Sequence, residues 1–157
     1  MVLATLRGLN VDHAAFYFMH TEATPTTEFI MSKTSVIPQN SPVPLAPYSP
    51  GTRATGEAIY ISGMVPIDDD GKSFGIGDAA AQTVNVLESI KSVVEAAGGK
   101  MEDIAFSMIF LKSMDDYKKM NEVYAKYFPK NPPARYCIRA DLVRDEFLVE
   151  ISCIAHV

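Results

Sequence analysis

A chain of 157 residues, 48% hydrophobic and 21% charged, has the size and balance of one globular domain with a real core. Its net charge of −5 argues against a protein that grips nucleic acid through a basic stripe. No apolar run approaches the ~18–20 residues that span a bilayer, and Cys137 and Cys153 lack the Cys/His spacing of a zinc site. Both read as reduced core thiols of a cytoplasmic protein.

In chain order, residues 1–30 differ from the rest. The apolar stretch 14–19 is too short for a convincing signal peptide, and Thr21 to Thr27 is rich in Thr, Pro and Glu. These residues read as an N-terminal extension, added upstream of a natural start or disordered, and residues 31–157 as a single domain. A short strand is expected from Ser35, ended by Pro38. Pro42, Pro44, Pro47 and Pro50 make 41–50 a non-helical connection with Tyr48 in its middle. A strand follows at 57–64, then a turn or loop at 66–77. Its Asp68-Asp69-Asp70-Gly71 lacks the distal Glu of a calcium loop.

Asp78 is placed to cap a helix that runs to Ala97, with Val84, Leu87, Ile90, Val94 and Ala97 spaced as one buried face and Gly98-Gly99 as its stop. A strand is expected at 104–112. Ser113, with Asp116 three residues on, is read as the cap of a second helix, whose stripe is Tyr117, Met120, Val123, Tyr124, Tyr127 and Phe128. Pro129, Pro132 and Pro133 end it, and two strands close the chain, at 136–140 and 147–155. The order predicts an α+β fold with two helices on one face of the sheet. The strands at 59–64, 104–111 and 147–155 are apolar at odd and even positions alike, so both sheet faces want burial. Two helices cover one; a second copy of the chain is the simplest cover for the other.

Two charges stand out against these apolar runs. Arg135 follows the rigid Pro132-Pro133 turn, and Glu150 interrupts the run Phe147 to Ala155. A carboxylate there is costly to bury unless it is paired or working. An Arg fork is the side chain best shaped to hold a small carboxylate through two parallel hydrogen bonds. On the residues alone each has a second reading: Arg135 as a solvated sheet-edge cation, Glu150 as a structural ion-pair partner. Strand alternation puts Arg135, Cys137 and Arg139 on one face. Ser62 reads as a strand-end hydroxyl or a pocket hydroxyl, and Tyr48 as a packing lid or a ligand contact. His13, His20 and His156 form no recognisable Ser/His/Asp or Cys/His triad, and no Gly-rich phosphate loop opens a helix. No cofactor or metal is implied.

Ala46-Pro47-Tyr48, Ile59-Tyr60-Ile61-Ser62-Gly63, Val94-Glu95-Ala96-Ala97-Gly98-Gly99, Asn121-Glu122-Val123-Tyr124, Pro133-Ala134-Arg135 and Val149-Glu150-Ile151 together resemble the RidA (YjgF) family of reactive-intermediate deaminases, over about residues 32–157. The aminoacrylate deaminases are the most similar subgroup. Tyr136 stands where that subgroup commonly has Phe, and Met64 where the family often has Gln. The resemblance implies a chorismate-mutase-like fold with a mixed sheet, assembled as a homotrimer around a β-barrel-like core with sites between subunits. It implies hydrolysis of a small carboxylate-bearing enamine or imine without a cofactor. Arg135 would hold the substrate carboxylate, and Glu150 would orient or activate the attacking water. Cys137, Tyr48, Ser62 and Gly63 would line the pocket. The same family name also covers translation inhibitors and endoribonucleases, and a non-catalytic ligand-binding or chaperone-like trimer stays open beside the enzyme.

Overall fold

The computed structural model describes residues 32–157; the expectation for residues 1–30 lies outside them. The strands are β1 (Lys33–Val36), β2 (Gly51–Ala54), β3 (Ala58–Met64), β4 (Ile104–Leu111), β5 (Ala134–Arg139) and β6 (Val149–His156); the helices are α1 (Ala79–Ala96) and α2 (Tyr117–Tyr127). β1 and β2 form a separate antiparallel pair. The main sheet has the order β3-β6-β4-β5, with β4 and β5 parallel and the other pairs antiparallel. Both helices lie on one face, so the expected α+β layering with a mixed sheet is the observed one.

α1 begins where Asp78 accepts hydrogen bonds from the backbone N–H groups of Ala80 and Ala81, at 3.0 and 3.1 Å. It ends before Gly98, whose φ of +85° suits a residue without Cβ. The stripe it buries is Ala79, Gln82, Thr83, Val86, Leu87, Ile90 and Val94. Val84, expected inside, is 42% exposed. It keeps the three-residue spacing to Leu87 but lies about 200° round the helix from Val86, which the sheet takes instead. The second helix also starts differently from expectation. Ser113 caps a 3-10 turn, Met114–Asp116, accepting from the N–H of Asp115, and α2 follows it. Met120, Val123, Tyr124 and Phe128 are buried as predicted, while Tyr117 and Tyr127 are half-buried.

The helix side of the sheet carries Ile61, Ser107, Ile109, Leu111, Val149, Ile151, Cys153 and Ala155, all buried. The opposite side is apolar along β4 and β5 and mixed along β6, where Glu150, Ser152 and His156 flank Ile154. It presents Phe106, Met108, Phe110 and Ile154, half-buried, and Tyr60, Tyr136 and Ile138, exposed. Tyr136 meets Phe106 and Phe110 edge-on, with ring centroids 5.9 and 6.3 Å away. β2 went unread because Gly51-Thr52-Arg53-Ala54 has no apolar alternation. Its tie to the sheet is a side chain: the Thr52 hydroxyl donates to the Ala105 carbonyl at 2.7 Å. Ala105 is the unmatched residue of a bulge, since β4 moves from Ile104 to Phe106 while β6 moves from Ala155 to Ile154.

Lys33, at the start of β1, is 2% exposed, and its Nζ has no hydrogen-bond partner among the described residues. Burial pulls its pKa from 10.5 down to about 8, against the opposing pull of Asp103 and Glu102. The folded state therefore binds this proton more weakly than the unfolded chain, and stability rises with pH between those two values. Lys33→Met is expected to raise the unfolding free energy by roughly 2–3 kcal/mol at neutral pH. The gain should vanish above the ordinary lysine pKa, where both states are neutral. Urea unfolding of both proteins at neutral and alkaline pH measures it; equal stability at neutral pH would show a hydrated amine.

Candidate active site

Arg135 is the second residue of the edge strand β5, set there by Pro132 and Pro133. The turn is stitched to the proline-rich loop: the Ser49 hydroxyl donates to the Pro132 carbonyl at 2.6 Å, and the Ser49 N–H to that of Pro133 at 3.1 Å. On β5, Arg135 is in register with Ser107 and Cys137 with Ile109, so both point to the helix side. There the Arg135 Nη2 donates to Oδ1 of Asn121, and Nη1 lies 3.9 Å from Sδ of Met120. The guanidinium carbon stands 4.4 Å from the centroid of the Tyr124 ring. The side chain is half-buried, with three α2 residues around it.

Tyr124 is itself fixed. It is fully buried, and its hydroxyl donates to Oγ of Ser107 at 2.9 Å. Ser107 Oγ is 3.4 Å from Sγ of Cys153. Burial pushes the Tyr124 phenol well above its ordinary range and the Cys153 thiol up to about 12. Burial also raises the Cys137 thiol, against the lowering effect of Arg135. All three groups stay neutral around physiological pH.

Glu150 lies elsewhere. It is in register with Phe110 on β4, three positions beyond Ser107. An odd separation along a strand reverses the face, so Glu150 points away from the helices while Arg135 points toward them. Its approach is held by Gln82 of α1, a buried side chain that donates to the Glu146 carbonyl at 2.9 Å and accepts from the Leu148 N–H at 2.7 Å. On the neighbouring strand, β3 pairs Ile61 with Cys153 and then Met64 with Ile151, three steps against two. Ser62 and Gly63 fall in this bulge, both exposed. A Cβ at Gly63 would stand 3.0 Å from the Glu150 carboxyl carbon and closer still to Oε1. The glycine gives the carboxylate its room.

The sequence-predicted residues thus form two groups. Arg135 and Cys137 share the helix side of β5; Glu150, Ser62 and Gly63 share the other face near the β3 bulge. Tyr48, half-buried, belongs to neither. It lines a cleft of about 340 Å³ with Ser35, Ile37, Pro44, Asn131 and Pro132, which neither Arg135 nor Glu150 reaches. Sequence reading placed Tyr124 in the buried stripe of the second helix and Asn121 beside it in a family motif, but gave neither a role at the site. Their i, i+3 spacing shows a shared helix face, but only the fold reveals that Arg135 lies over it. Among the described residues no group of three or more His, Cys, Asp or Glu converges as a metal site, and no helix is long and apolar enough to cross a membrane.

A two-layer α+β domain of this topology has the architecture of the small Rid-type proteins. The chain belongs to the RidA (YjgF) family: the family profile described as endoribonuclease L-PSP matches residues 38–157. The 3-aminoacrylate deaminase RutC of Acinetobacter baylyi is 46% identical over 127 residues, covering 81% of this chain and all of that protein. NMB1025 of Neisseria meningitidis, a member of the YjgF family, is 31% identical with a TM-score of 0.57, over 80% of this chain and 95% of that one. YyfB of Yersinia pestis, from the Rid family, shares the fold at a TM-score of 0.74 and 24% identity, over 81% of this chain and all of that one.

Proposed function

We propose that the chain is a cofactor-independent deaminase of small carboxylate-bearing enamines and imines, with 3-aminoacrylate or 2-aminoacrylate as substrate. The observation that carries this reading is its likeness to an aminoacrylate deaminase along that protein's whole length. In the reaction, protonation of the enamine carbon gives an iminium, and water adds to the iminium carbon. The added water loses one proton to give the neutral carbinolamine. The nitrogen then takes up a proton and leaves as ammonia, while the hydroxyl releases its remaining proton and the C=O bond of an aldehyde or ketone forms. Arg135 holds the carboxylate, which fixes where the iminium carbon sits. Glu150 orients the water and accepts its proton. Because the iminium is already electrophilic, alignment supplies most of what the step needs. In this proposal the domain is residues 31–157, and the apolar face opposite the helices closes a homotrimer that brings Arg135 of one copy to Glu150 of the next.

The test is ammonia release from freshly generated 3-aminoacrylate and 2-aminoacrylate. Rates no faster than the spontaneous hydrolysis would overturn the reading. The endoribonuclease alternative is disfavoured by the charge of −5 and by the histidines: only His156 lies among the described residues, with Nδ1 3.4 Å from the Gly56 carbonyl. A chain shortened to residues 31–157 should fold and sediment as a trimer at micromolar concentration; a stable monomer would refute the assembly.

Gly63→Ala is expected to lower turnover by about tenfold or more while leaving the melting temperature nearly unchanged. The added methyl displaces the Glu150 side chain, whose atoms are the three nearest to it. Parallel melts and ammonia assays decide it. A folded Gly63→Ala protein with native turnover would show that the carboxylate's place does not matter.

A further inference from the structure

The Arg135 guanidinium is held by a partner whose charge is unusual for the job. Asn121 Oδ1 accepts from Nη2, while the Tyr124 ring supports the guanidinium from 4.4 Å and is locked by its own hydroxyl on Ser107. A long, flexible Arg side chain held this way loses less freedom when an anion arrives. An aspartate would fit the same space and accept a stronger hydrogen bond, yet it would pair with the guanidinium and repel a second carboxylate. An amide oxygen fixes the fork and leaves its positive charge available.

We propose that Asn121 is a positioning residue: it fixes the plane of the Arg135 guanidinium without neutralising it, so residue 121 sets the affinity of the site for carboxylates. This rests on the reading of Arg135 as the carboxylate grip. It predicts that stability and affinity move in opposite orders. Among the described residues, the ionisable groups that Arg135 acts on are Tyr124 from α2 and Cys137 from its own strand, both neutral at the working pH, so neither competes with a new carboxylate.

The experiment measures binding of acrylate, a substrate-like carboxylate without the reactive amine, by calorimetry, with thermal melts and steady-state kinetics on 3-aminoacrylate. Asn121→Ala removes the hydrogen bond, so it should melt lower and bind acrylate about tenfold more weakly. Asn121→Asp should melt at or above the native temperature, yet bind acrylate about a hundredfold more weakly, with KM raised more than kcat is lowered. A purely structural amide predicts the reverse order for affinity, with Asn121→Asp binding as well as the native protein or better. Arg135→Ala separates the two ideas. If it binds acrylate normally, the grip itself is misassigned. If it loses binding while Asn121→Asp keeps native affinity, the grip stands and the role given to Asn121 is overturned.

Discussion

Replacing Arg135 with lysine is expected to lower kcat/KM for aminoacrylate by at least about tenfold, and with alanine by about a hundredfold or more. The reason lies in the side chain's shape more than in its charge. Around Arg135 the fold provides a ring face, an amide oxygen and a thioether. A lysine keeps the positive charge but presents a rotatable ammonium that cannot make two parallel hydrogen bonds to one carboxylate. The loss should fall on alignment as well as on binding, so kcat should drop along with a rise in KM. Ammonia release from 2-aminoacrylate and 3-aminoacrylate, with circular dichroism to confirm folding, measures it. A folded Arg135→Ala protein with native rates on both substrates would remove the carboxylate grip from the mechanism.

Much of this geometry was legible before the fold was known, and the illegible part has a physical cause. Strand alternation alone puts Cys137 and Arg135 on one face, as the structure has them. Asp78 and Gly98 bound α1 because capping is a local interaction. The two-faced apolarity of β4 likewise follows from its composition, whereas the open face of β6 is mostly polar, with Glu150, Ser152 and His156 beside Ile154. Two other features depend on register across strands, which periodicity does not carry. One is the β3 bulge that puts Gly63 against Glu150. The other is the parity between Ser107, opposite Arg135, and Phe110, opposite Glu150, which sends the two charges to opposite faces. The sequence shows two candidate charges near strand ends, and the sheet sends them to opposite faces within one chain.

That separation leads to the second large effect. If the working site takes Arg135 from one subunit and Glu150 from the next, two inactive proteins should complement each other. Arg135→Ala subunits still carry Glu150, and Glu150→Gln subunits still carry Arg135. Each alone gives a trimer in which every interface lacks one group. Glu150→Gln should lower turnover more than binding, since it weakens the water's proton acceptor and leaves the grip intact. Unfolded together in equal amounts and reassembled, the two chains mix at random. A given interface then receives a native Arg135 on one side and a native Glu150 on the other in about a quarter of cases. The mixture should therefore recover about a quarter of native activity, far above either parent. Had Arg135 and Glu150 of a single chain served one site, every site in the mixture would carry one lesion. Activity would then never exceed the average of the parents. The recovered fraction, read by ammonia release after confirming trimers by sedimentation, distinguishes a site shared between subunits from one contained in each.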